Sequence, residues 1–173
     1  MSRVRNGFKG VLKMLLYISF GCYVLMLLYV VLVRFHGYWT DLSLWDYIRY
    51  NTNLVPFKSI AMYVRALSDQ SMNIETPIIN LFGNLLMCLP MGLYLPGFFR
   101  RLRKLGAFSL CMIGILFVLE TAQLLLRRGS FDIDDFILNM AGALIGFVIY
   151  RSAAKLFLKS AKDHDSKICI SDK

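Results

Sequence analysis

The chain has 173 residues, 57% of them hydrophobic, with a formal charge of +9 and a mean hydropathy of +0.56. A water-soluble domain interrupts its apolar residues every few positions, so four long apolar runs exclude that class. They predict an all-α, polytopic protein forming a single membrane domain over 1–173. The positive charge gathers at the ends of the runs, so the bilayer, and not nucleic acid, is the expected partner.

Residues 1–13 carry Arg3, Arg5, Lys9 and Lys13. The first span follows at about 14–33, uncharged and about 30 Å long as a helix. It exceeds an ordinary signal-peptide core, and no small-x-small cleavage site precedes Arg34-Phe35-His36, so it reads as a retained span. Residues 34–77 form the one long polar segment. Tyr38, Trp39, Trp45, Tyr47 and Tyr50 are amphipathic aromatics that favour a membrane interface. The turn signal Asn53-Leu-Val-Pro56-Phe57 follows. Phe57, Ile60, Val64 and Leu67 then recur on one face, with Lys58, Arg65 and Asp69 elsewhere. This predicts an interfacial helix lying on the membrane or folded back over the bundle.

The second span, about 78–96, carries Asn80 and Asn84 four apart on one face, and Pro90 is expected to interrupt or kink it. Arg100, Arg101, Arg103 and Lys104 mark the next loop as cytoplasmic. The third span, about 105–126, is uncharged until Glu120. After the turn at 127–134 comes a short fourth span, about 136–150, only about 22 Å long as a helix. Its Gly142 and Gly146 form a GxxxG that lets another helix approach closely. Lys155, Lys159, Lys162 and Lys167 suit a cytoplasmic, anionic lipid surface. Cys22, Cys88, Cys111 and Cys169 have neither zinc nor redox spacing, and the first three are expected as buried small hydrophobes.

The basic N-terminus, the 100–104 loop and the basic tail all favour the inside, so both termini are expected in the cytoplasm. Depth then sorts the polar positions. Asn80 and Asn84 open the second span, Glu120 and Gln123 end the third, and Asp132, Asp134, Asp135 and Asn139 open the fourth. With Arg127 and Arg128 in the turn, all are expected in one outer-leaflet layer. An Asp or Arg at mid-helix costs roughly 2.5–3.5 kcal/mol in a membrane, so such a gathering marks a ligand site. The structural alternative pairs Glu120 with an arginine and lets Asp132 or Asp134 cap the fourth helix.

At these residues the sequence resembles the VanZ-like family of bacterial membrane proteins. The resemblance covers about 53–146. It rests on Asn-Leu-Val-Pro-Phe at 53–57, Asn80-x-x-x-Asn84, Pro90-x-Gly92, Glu120-x-x-Gln123, Arg128, Asp132-Ile-Asp134-Asp135 and Asn139-x-x-Gly142. It implies a multi-pass protein of the cell membrane of Gram-positive-type bacteria, in a family whose founding member is associated with resistance to the glycopeptide teicoplanin. The family's polar positions would be Asn80, Glu120, Gln123, Arg128, Asp132, Asp135 and Asn139.

Three functions are open at this point. The first is a non-enzymatic envelope protein without cofactor, binding a lipid-linked cell-wall precursor or a glycopeptide antibiotic. There Arg127 and Arg128 would take pyrophosphate or carboxylate groups, and Asn80, Asn84, Gln123 and Asn139 sugar or amide groups. The second is a membrane-embedded transferase or phosphohydrolase in which Asp132, Asp134 and Asp135 hold a metal with Glu120, or one carboxylate acts as base. His36 and His164 lie far from that cluster by topology, and no nucleophile stands beside it. The third is a small transporter, which needs a homo-oligomer, and Gly142 and Gly146 would permit one.

Overall fold

The computed structural model describes the backbone of residues 2–34 and 41–171, and the side chains of 10–33 and 41–156. Expectations resting on His36, Tyr38 and Trp39, or on the side chains of Arg3, Arg5, Lys9, Lys159, Lys162, His164, Lys167 and Cys169, lie outside the described residues. Among those described, six α-helices make up most of the chain: α1 Ser2–Tyr29, α2 Leu44–Tyr50, α3 Lys58–Asp69, α4 Glu75–Phe98, α5 Leu105–Leu125 and α6 Ile133–Ser171. A π-helical turn, Val30–Arg34, extends α1, and a 3₁₀ turn, Arg100–Arg103, joins α4 to α5. The strands β1 Thr52–Asn53 and β2 Phe131–Asp132 are two residues each.

Gly10–Val33, Glu75–Phe98, Leu105–Leu125 and Ile133–Leu156 are long and apolar enough to cross a membrane. Large apolar side chains stand bare along them, with Leu25 69% and Leu110 72% exposed. Such surface is tolerated when lipid covers it.

Several expectations need correction. The fourth helix is not short, because nothing between Arg151 and Ser171 is a glycine or proline that would stop it. Its apolar part, Ile133–Leu156, is as long as α4. Pro90 does not interrupt α4, which runs through both Pro90 and Pro96. Neighbouring helices can absorb the lost backbone bond. The polar segment holds α2 ahead of the expected α3. Tyr47, read as an interfacial aromatic, is only 5% exposed, whereas Trp45 and Tyr50 are 81% and 75% exposed. Cys88 is buried, but Cys22 is exposed and Cys111 intermediate.

The chain divides into two compact units, Met1–Asn53 with Leu119–Phe131, and Leu54–Val118 with Asp132–Lys173. In the first, Gln123 Nε2 on α5 donates to Val31 C=O in the π-helical turn at 3.2 Å, and Phe131 N–H donates to Asn51 C=O at 2.8 Å. In the second, α4 and α6 pack most extensively. A Cβ on Gly142 would fall on the Leu85 carbonyl oxygen, one on Gly146 on that of Leu89, and one on Gly92 on that of Ala143. Positions 85, 89 and 92 meet 142, 146 and 143–147 in rising order, so the two helices run parallel. Gly142 and Gly146 therefore serve a helix of their own chain. Phe108 on α5 stacks on Phe147 of α6 at 4.7 Å between ring centroids, both fully buried.

Candidate functional site

In the second unit the acidic turn is a set of caps. Helix α3 begins badly by itself, because Phe57 at its N-cap offers no side-chain acceptor and stands in the left-handed region at φ 64°. That conformation costs a non-glycine residue about 1–2 kcal/mol. Asp134 compensates from α6. One carboxylate oxygen accepts the Phe57 N–H at 2.5 Å, and the other those of Ser59 at 2.7 Å and Ile60 at 3.0 Å. The positive end of the α3 dipole thus meets a carboxylate that is 1% exposed.

Asp132 caps α6 instead, accepting the Asp134 N–H at 2.9 Å, while its second oxygen takes the Ser59 hydroxyl at 2.5 Å. Asp135, in the first turn of α6, accepts from Asn84 Nδ2 on α4 at 2.5 Å. Asn80 is turned back onto its own helix, its Nδ2 donating to Thr76 C=O at 2.8 Å. Asn139 is buried within the α4–α6 seam. Tyr63 on α3 looks toward the same carboxylates. Partial burial first, then the charges of Asp135 and Asp132, push its phenol above its ordinary pKa of 10.0.

The carboxylates Asp132, Asp134 and Asp135, weighed above as a metal-binding group, do not converge as one. Among the described residues no three His, Cys, Asp or Glu side chains are placed to hold a metal ion. Asp134 spends both oxygens on backbone donors, and Asp132 spends its own on a backbone donor and a hydroxyl.

In the first unit the end of α5 sets a different chemistry. The helix closes with a Schellman motif: Arg128 N–H returns to Gln123 C=O at 2.8 Å and Arg127 N–H to Leu124 C=O at 3.1 Å. The left-handed position of that motif normally belongs to glycine. Here it is Arg127, at φ 53°. Its guanidinium stands 5.6 Å from the centroid of the Tyr47 ring, and Tyr47 donates its hydroxyl to Gly129 C=O at 3.0 Å. Glu120 lies two turns back along α5 and is 5% exposed. Arg127 and Arg128 are both half-buried.

The structure thus brings Asn84 to Asp135, and it sets Arg127 and Arg128 side by side at the end of α5. Sequence reasoning missed Ser59 and Tyr63, and gave Tyr47 and Gly92 other roles. Ser59 was legible as a hydroxyl in the first turn of a helix that lacks a cap. Gly92 entered the resemblance within Pro90-x-Gly92, with no packing role attached to it.

These features define an integral membrane protein with a cluster of helix-capping carboxylates on one unit and an arginine-ended span on the other. The VanZ/LLP1 family profile matches residues 20–158, and the chain belongs to that family. The match begins within the first span, earlier than the 53–146 stretch on which the resemblance rests. Comparison with curated proteins and with solved structures found no match.

Proposed function

We propose that this VanZ/LLP1-family protein works in the bacterial cell envelope. It binds a lipid-linked cell-wall precursor or a glycopeptide antibiotic at the outer face of the membrane, and so contributes to glycopeptide resistance, teicoplanin in particular. The observation that carries this reading is Arg127 in the left-handed position that ends α5. Glycine would take that position without strain, so an arginine there, held against Tyr47 and followed by Arg128, calls for a reason outside folding.

Two guanidinium groups at the end of a span suit a pyrophosphate or a carboxylate, which arginine grips with paired hydrogen bonds. The apolar spans beside them suit a polyprenyl chain or a lipid tail. The capped carboxylates of the second unit are framework in this reading. The amide N–H groups of Asn80, Asn84 and Gln123 are engaged within the chain.

The test is susceptibility to teicoplanin and vancomycin in a deletion strain carrying wild type or Arg128→Ala at matched membrane levels. Wild type is expected to raise tolerance of teicoplanin several-fold and Arg128→Ala to lose that gain. Equal protection by both would remove the arginine end as the site. No protection by wild type would remove the resistance role.

A further inference from the structure

The seam between α4 and α6 holds an oxygen that lacks its counterpart. Asn139 is 2% exposed, and its Oδ1 has no hydrogen-bond donor. Buried side-chain acceptors are nearly always paired, with protein or with something bound. Asn139 is bracketed along α6 by two contacts with α4. One turn earlier Asp135 accepts from Asn84, and three residues later Gly142 lies against the Leu85 carbonyl. All three α6 residues share one stripe, so Asn139 opens into the same seam.

Asp135 has no basic side chain paired with it among the described residues. It is a carboxylate in the first turn of a membrane span, and Asn84 engages only one of its oxygens. The Asn84 amide, having given its N–H to Asp135, keeps its own oxygen as an acceptor. Two amide oxygens and a carboxylate therefore lie along one stretch of the seam, and among the described residues no basic side chain is paired with the carboxylate.

We propose that Asp135, Asn84 and Asn139 form a site for a hard monovalent cation, of the sodium type, inside the α4–α6 seam. One carboxylate and two amide oxygens are hard donors suited to such an ion. A single carboxylate balances a single charge, and a divalent site would draw on more carboxylates than converge here. The ion gives Asn139 Oδ1 its missing partner and relieves the cost of an uncompensated carboxylate in a span. This site belongs to the second unit and the arginine end of α5 to the first, and its fate does not depend on that reading.

The experiment uses the purified full-length protein in nanodiscs of neutral lipid. Thermal unfolding is followed as sodium chloride replaces choline chloride at constant ionic strength. The Tm is expected to rise by several degrees and saturate, and the sodium NMR line to broaden with protein. Asn139→Leu, which keeps the branching at Cγ and removes the oxygen, and Asp135→Asn should each abolish both effects. Should either variant fail to fold, the line broadening with wild type still decides. Superposed sodium and choline curves, an unbroadened line, a sodium response kept by both variants, or a response to calcium or magnesium alone would each overturn the site.

Discussion

Asp134 belongs to one helix and caps another, since the chain places it at the start of α6 and its oxygens close the start of α3. Three backbone donors depend on its two oxygens. Removing the acceptors exposes the left-handed strain at Phe57 as well as three unpaired N–H groups. Asp134→Ala is expected to cost about 2–4 kcal/mol in unfolding, with Asp134→Asn milder, because an amide keeps one acceptor. Hydrogen exchange at Ser59 and Ile60 is the local readout, and unchanged protection there would contradict the cap. Tyr63 reports on the same carboxylates. Its raised pKa means that the folded state holds the phenolic proton more tightly than the unfolded chain. Stability should therefore be unaffected well below pH 10 and fall as pH climbs from about 10 through the raised value. A phenolate absorbance titration of wild type against Tyr63→Phe checks this, the difference curve having its midpoint above 10.0.

At the scale of elements, the α4–α6 contact rests on glycine more than on large side chains. Gly142→Ala places a methyl against the Leu85 carbonyl, and the helices must part to admit it, at a cost of about 1–3 kcal/mol. Gly21→Ala on α1 meets nothing within 4 Å and should be neutral or slightly stabilising, since alanine favours helix. Detergent-resistant unfolding of the two variants side by side makes the comparison. A Gly142→Ala protein as stable as wild type would mean that the seam yields freely. Much of this level was legible in the sequence. Four apolar runs located the four spans, and the 3.6-residue recurrence from Phe57 to Leu67 located α3. What stayed hidden depended on partners distant in the chain. The spacing of Asp132, Asp134 and Asp135 announced a polar turn, but nothing local says that Asp134 would cap a helix 77 residues upstream. Likewise Gly142 and Gly146 announced a close neighbour without naming α4, and they permitted an oligomer as well; Leu85 and Leu89 are the residues set against them.

For the whole molecule, charge placement argues that the Arg100–Lys104 segment faces the cytoplasm and the 41–77 segment the outside. In a background with Cys22, Cys88, Cys111 and Cys169 replaced by alanine, Ser71→Cys should react with a membrane-impermeant maleimide in intact cells. Leu102→Cys should react only after permeabilisation. The reverse pattern would invert the protein, and with it the face on which Arg127 and Arg128 meet a ligand.

The parallel pairing of α4 with α6 also bears on how the protein is made. Between the two helices the chain must cross back through α5, so α4 enters the bilayer well before its partner has been synthesised. During that interval the Asn84 amide lacks Asp135, and the flat face around Gly92 lacks the groove it will fill. Until α6 emerges, α4 is a span with a polar spot and no cover. The chain is then most exposed to the wrong neighbour, and the late arrival of α6 completes the second unit in one step.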